Sequence, residues 1–155
     1  MPNARRTPTL LRRLLLVFWS LYFLLVAGSN LVDAFQQLGW APGAWSFTSG
    51  NLAMIAETIG EYGLANGLAG LLYALVILVE LAATVFFLAA FRDTWKVKEG
   101  KSANISRAFL CAIGLFAGFI VTDELFVVYH RISGLETTHF LVLCALLLSV
   151  LVSRS

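Results

Sequence analysis

Residues 64–91 read LANGLAGLLYALVILVELAATVFFLAAF, and between Leu64 and Phe91 the one charge-bearing side chain is Glu80. A bilayer's hydrocarbon core is about 30 Å thick, and at about 1.5 Å per residue a helix needs roughly 20 apolar residues to cross it. This stretch is long enough to cross and too apolar to face water. Its polarity does not alternate, which removes the strand of a barrel, and unpaired backbone groups are too costly in lipid for anything but a helix.

Three more runs of the same kind follow from the same test. One extends from Leu14 to Val32, after Arg12 and Arg13, and is free of charge until Asp33. Another covers about Ala108 to Tyr129 and carries Asp123 and Glu124 toward its end; the last, Thr137 to Leu151, is short and stops before Arg154. With 59% hydrophobic and 13% charged residues and a mean hydropathy of +0.84, a water-soluble domain is excluded. The expected fold is all-α: a polytopic membrane protein whose 155 residues form one four-transmembrane-helix bundle, with an outer loop over 33–62 and a cytoplasmic loop over 92–107. The first run also fits a secretory signal peptide, with Ala27, Gly28 and Ser29 as small residues for cleavage. Trp19 and Tyr22 make it bulky for that role and its apolar character continues through Leu31 and Val32, so a retained span is the preferred reading.

Basic residues set the expected orientation. Arg5, Arg6, Arg12 and Arg13 precede the first span, and Arg92, Lys96, Lys98, Lys101 and Arg107 lie between the second and third. No Lys or Arg occurs between Leu14 and Phe91, and the last connection holds Arg131 and His130. The positive-inside rule then places both termini in the cytoplasm, for a bacterial inner-membrane protein. The net charge of +2 is a topology signal, and no pattern of interleaved basic and aromatic residues suggests a nucleic-acid partner. The partners expected are the lipid bilayer and either another membrane protein or a second copy of this chain.

In the first outer loop, Trp40, Pro42, Gly43, Trp45 and Gly50 mix turn formers with aromatics suited to the headgroup layer. Over Asn51–Gly60, Leu52, Ile55 and Ile59 recur at helical spacing while Glu57 and Glu61 fall elsewhere, which predicts a short amphipathic helix on the outer surface. Small residues four apart mark contact stripes between membrane helices. Gly63 with Gly67, and Gly114 with Gly118 continuing to Thr122, are the candidates, and they are assigned to packing within the bundle ahead of a dimer seam. Cys111 and Cys144 lie in spans of opposite direction at different depths and read as small apolar side chains without a disulfide.

Glu80 is the most informative residue, since an acidic group at mid-span costs about 3 kcal/mol on insertion scales and must face protein. Helical spacing aligns Asn66, Gly70, Tyr73, Ile77, Glu80 and Thr84, which surrounds the carboxyl with hydroxyl-bearing neighbours on its own helix. The leading interpretation is a carboxylic acid hydrogen-bonding two helices together; the alternative is proton transfer or ligand binding. A second set gathers by depth at the outer ends: Asn30 and Asp33, Asp123 and Glu124, and His139. Asp123 and Glu124 point about 100° apart, so one of them faces inward. Glu136 and His139 share the Glu-x-x-His spacing of di-iron bundles, but a second pair is missing and Ser133 three residues earlier makes Glu136 a capping-box residue. Glu124, Glu136 and His139 remain minor metal-ligand candidates, and no cofactor is expected. Trp19, Tyr22 and Tyr73 suit packing better than a quinone cavity, and the sequence holds no phosphate-binding loop, nucleophile elbow or haem motif.

Ala27-Gly-Ser-Asn-Leu-Val-Asp33 at the end of the first span, Tyr73-Ala-Leu-Val-Ile-Leu-Val-Glu80-Leu-Ala-Ala in the second, and a late acidic residue followed by Phe126 in the third carry a resemblance. The chain resembles a bacterial family of predicted small integral membrane proteins of unknown function, of about this length and with four spans. The likeness covers most of the layout and implies Asn30, Asp33, Glu80 and Glu124 as the polar set. The outer loop departs from the family pattern, as does Leu125 where an aromatic residue is usual, so outer-face detail does not carry over. The family implies no activity.

Three functional classes remain. A noncatalytic accessory or partner-binding module fits the small size and the absence of a catalytic set, which weighs against an enzyme. An oligomeric transporter or proton-coupled channel component would use Glu80 and the outer acidic set. A metal- or quinone-linked redox enzyme would use Asp33, Glu124 and His139.

Overall fold

The computed structural model describes residues 6–95, 102–127 and 134–154. They form five helices: α1 (Arg6–Gln37), α2 (Asn51–Glu61), α3 (Asn66–Asp93), α4 (Ala103–Leu125) and α5 (Leu135–Arg154). All but α2 are long and apolar enough to cross a membrane, and the chain is a multi-pass membrane protein with a helical bundle fold. The expected basic positions Arg5, Lys96, Lys98, Lys101 and Arg131, together with His130 and the capping residue Ser133, lie outside the described residues.

The helices run past the apolar stretches at several ends. α1 continues to Gln37, so Asp33 sits inside the helix and not in the following loop. α4 starts at Ala103, five residues ahead of the apolar run, because Ser102 caps it by accepting from the Asn104 N–H at 3.2 Å. It stops at Leu125, followed by Phe126 and by Val127 in the left-handed region at φ 51°. That turn ends the helix short of Tyr129.

α1 packs on α3, α3 on α4, α4 on α5 and α5 back on α1, a closed ring of sequential neighbours. Polar pins fix the directions. Arg13, near the start of α1, bonds Thr94 at the end of α3, while Asn30 near the end of α1 bonds Glu80 at the middle of α3. Trp19 Nε1 donates to Ser149 Oγ at 3.0 Å, joining early α1 to late α5. Neighbours are therefore antiparallel. The core is aromatic, with Trp19, Phe23, Phe87, Phe109 and Phe116 meeting between the helices; Phe23 and Phe87 stack at 5.9 Å and Phe87 meets Phe109 edge-on at 5.2 Å. The small residues that let the helices approach are alanines: Ala83 and Ala90 on α3, Ala108 and Ala112 on α4, all fully buried.

The glycine stripes do something else. An added Cβ would meet nothing within 4 Å at Gly63, Gly67, Gly114 or Gly118, and Gly114, Gly118 and Thr122 all lie on the exposed side of α4. Ala112 and Phe116 take the inward face, and Gly114 points about 200° away from Ala112. The packing within the bundle expected of these glycines is absent. Cys111 and Cys144 are free thiols, half-buried.

α2 is the predicted short helix. Ile59 is buried and Leu52 and Ile55 are half-buried, whereas Glu57 and Glu61 face out. It packs against α3 and α1 across one end of the bundle. Tyr62, just after it, meets Phe126 edge-on at 5.2 Å, so the α2 unit reaches from α1 and α3 to the end of α4.

Candidate functional site

The site begins with one residue that lipid does not tolerate. Glu80 is 2% exposed and lies on the buried stripe of α3 with Tyr73, Ile77 and Thr84; Ala69, and not the exposed Gly70, continues that stripe. Its carboxyl meets no hydroxyl of its own helix. Thr84 Oγ1 donates to the Glu80 backbone carbonyl at 2.9 Å, and the Tyr73 hydroxyl turns toward α1. The partner comes from across the interface: Asn30 Nδ2 lies 2.9 Å from Oε1 and 2.8 Å from Oε2, donating to both carboxyl oxygens. Asn30 is itself 1% exposed.

The other end of the Asn30 amide extends the network. Its Oδ1 accepts from Asn51 Nδ2 at 3.1 Å and stands 3.2 Å from the Tyr73 hydroxyl, which also lies 3.1 Å from the Asn30 carbonyl. The shortest bond of that hydroxyl, 2.8 Å, goes to Asp33 Oδ2. The same Asp33 oxygen accepts from Ser49 Oγ at 3.2 Å and from the Leu52 N–H at 2.9 Å. That last bond explains the placement of α2. Gly50 stands at the N-cap with φ 71°, a conformation suited to glycine, and offers no side chain to the first N–H groups of the helix. Asp33 on α1 supplies the missing acceptor at the positive end of the helix dipole, and Ser49 Oγ takes the Asn51 N–H at 3.3 Å. One connected set thus joins mid-span Glu80 to the half-buried Ser49 beneath the loop.

By depth the sequence grouped Asn30 and Asp33 with Asp123, Glu124 and His139, whereas the resemblance implied the set Asn30, Asp33, Glu80 and Glu124. The structure divides them differently: Asn30 and Asp33 join Glu80. Asp123, 5% exposed, pairs with His139 Nδ1 at 2.5 Å across α4 and α5, and the His139 ring lies against Phe119 at 4.8 Å and Phe116 at 6.0 Å. Of the two adjacent acids Asp123 is the inward one; Glu124 is exposed, although the resemblance favoured it. Glu136 is half-buried, and among the described residues no three His, Cys, Asp or Glu side chains gather as a metal-ligand group. Trp19 is packed in the core with its indole N–H bonded to Ser149.

Ser49 and Asn51 escaped the sequence reading. Their signal was present, since Ser-Gly-Asn directly before an amphipathic run is helix-capping chemistry, but nothing local says that the cap completes itself on α1. No protein-family model matches the chain, and no curated protein or solved structure matches it.

Chemically, the site is a lock. Its acceptors and donors are engaged with one another across three helices.

Proposed function

We propose that this chain is a noncatalytic module of the bacterial inner membrane, with both termini cytoplasmic, that binds another membrane protein at its α2 end. One observation carries this reading: Asn30, Asp33 and Glu80, each at most 2% exposed, direct their polar atoms to holding α1, α2 and α3 together. Such bonding supports a rigid platform more than a path or a reaction. Above the lock, the loop presents Trp40 at 74%, Trp45 at 55% and Phe47 at 50% exposure, aromatics of the kind that anchor protein interfaces. Gln36 Nε2 holds the loop by donating to the carbonyls of Pro42 at 2.9 Å and Trp45 at 3.0 Å. The same layout suits membership of the four-span bacterial family that the motifs around Asp33 and Glu80 resemble.

The experiment is affinity purification of the full chain in mild detergent. A single integral membrane protein recovered in constant ratio, lost with Trp40→Ala/Trp45→Ala and regained with Trp40→Phe/Trp45→Phe, is the expected result. Recovery of the chain alone from every mild detergent rejects the reading.

A second reading has its own support. The chain of groups from Glu80 through Asn30 and Tyr73 to Asp33 and Ser49 is a continuous hydrogen-bonded route from mid-span toward the loop, as a proton-coupled component would need. Proton flux in proteoliposomes that disappears with Tyr73→Phe, in protein of unchanged melting temperature, would favour it over the platform.

A further inference from the structure

Leu21, Leu24, Leu25 and Gly28 follow one another at steps of three and four residues and so share one face of α1. The three leucines are exposed at 53%, 49% and 58%, which on a membrane span is the surface that acyl chains cover. At Gly28 the stripe has no side chain of its own. A residue of the loop between α1 and α2 takes the place: a Cβ added at Gly28 would stand 3.4 Å from Phe47 Cε1 and 3.7 Å from its Cζ. The Phe47 ring rests there 50% exposed, and continues the apolar stripe toward the α2 end.

Depth along α1 says what meets that exposed half. Arg13 is fixed at the C-terminus of α3, with its Nη2 donating to the Thr94 carbonyl at 3.0 Å and its guanidinium over the Trp95 ring at 3.8 Å. From Arg13 to Asp33 the helix rises about 30 Å without another charge, the thickness of the hydrocarbon core. Gly28 lies five residues short of Asp33, so the Phe47 ring sits about 7 Å inside that boundary. The residues after Phe47 are equally deep. Ser49 Oγ lies 3.0 Å from the Tyr73 hydroxyl, and Asn51 Nδ2 donates to Asn30 Oδ1 at 3.1 Å. Tyr73 is seven residues, about 10 Å, inward from the start of α3. The loop therefore turns back below the ends of α1 and α3 instead of lying over them. Irregular backbone at such depth is tolerated where protein supplies its partners. Here Gln36 Nε2 serves the carbonyls of Pro42 and Trp45, and Asp33 accepts from the Leu52 N–H.

We propose that the segment from Leu38 to Gly50 is a re-entrant loop that inserts Phe47 among the acyl chains of the leaflet on the α2 side. Transfer of the ring out of water holds the loop against α1, and two residues further on Ser49 meets Asp33 and Tyr73. Seating in lipid and closure of the polar network are thus properties of one short segment. The inference does not rest on the platform reading, which is tested at Trp40 and Trp45 and needs a protein partner; this one needs only lipid.

The test uses the full chain in vesicles of phosphatidylethanolamine and phosphatidylglycerol, doped with a phospholipid carrying a photoactivatable diazirine either in mid acyl chain or on the headgroup. Adducts on the wild-type protein are located by peptide mass spectrometry. Phe47 should be labelled by the acyl-chain probe in preference to the headgroup probe, as Leu24 is, whereas Gly43 should show the reverse. Labelling of Phe47 with the preference of Gly43, or by neither probe, overturns the insertion. The same vesicles serve for hydrogen exchange. Phe47→Ser should speed exchange of the Leu52 amide roughly tenfold, with Phe47→Leu within about twofold of wild type as the folded control. Equal exchange in wild type and Phe47→Ser overturns the part of Phe47 in seating the loop.

Discussion

Asn30 makes two bonds that no single substitution at Glu80 preserves. Both Glu80 oxygens accept from its Nδ2 while its Oδ1 is already engaged by Asn51 and Tyr73. Asn30→Ala therefore leaves a buried carboxyl without its donor and should lower stability by about 1–3 kcal/mol. Equilibrium unfolding in mixed micelles would measure it, and an effect within error would mean that the pair contributes nothing. Glu80→Gln looks conservative from sequence, since shape and polarity are kept. In this setting it replaces an acceptor with an NH2 group that faces another NH2 group, so a loss of about 1 kcal/mol is expected. Its direction into protein was legible, because lipid excludes a carboxyl at mid-span. Its partner was not: the register of α1 against α3 brings together residues fifty positions apart, and local spacing carries no record of that register.

Helix α2 illustrates the same division one level up. The periodicity of Leu52, Ile55 and Ile59 announced the helix, but Gly50 at its N-cap leaves its start dependent on Asp33 of another helix. Asp33→Ala should remove about 0.5–2 kcal/mol from the local stability of α2, which speeds hydrogen exchange of the amides around Leu52 by roughly two- to thirtyfold. Asp33→Asn, which keeps an acceptor, should do less; unchanged exchange in both would remove the cap from the account. The glycine pattern of α4 fails for a related reason. Spacing shows that Gly114 and Gly118 share a face, but the aromatic and alanine positions Ala108, Ala112 and Phe116 decide which face turns inward. With nothing within 4 Å, Gly118→Ala should be neutral or stabilising by up to about 1 kcal/mol, whereas Ala112→Leu, entering a fully buried position, should cost about 1–3 kcal/mol. A thermal shift series in detergent separates these, and a destabilised Gly118→Ala would show that this face is covered in the protein as purified.

For the molecule as a whole, the apolar runs were enough to give the number of spans, because the bilayer imposes one length on every crossing. They did not give the ring order or the seat of α5, which polar contacts such as Trp19–Ser149 and Asp123–His139 hold to its neighbours besides apolar packing. Orientation depends on a different physical term. The cations Arg12, Arg13, Arg92 and Arg107 stand at the end of the bundle opposite α2, as the order of the helices requires. Lysine and arginine excess is retained on the cytoplasmic side during insertion, so the α2 end should face outward. In a Cys111→Ser/Cys144→Ser background, Ser46→Cys should react with a membrane-impermeant maleimide in intact cells and Lys98→Cys only after permeabilisation. The opposite pattern would invert the protein, and with it the side from which any partner reaches Trp40 and Trp45. The lock between Asn30 and Glu80 would survive that inversion, because its bonds depend on helix register and on exclusion from lipid, neither of which distinguishes the two faces of a membrane.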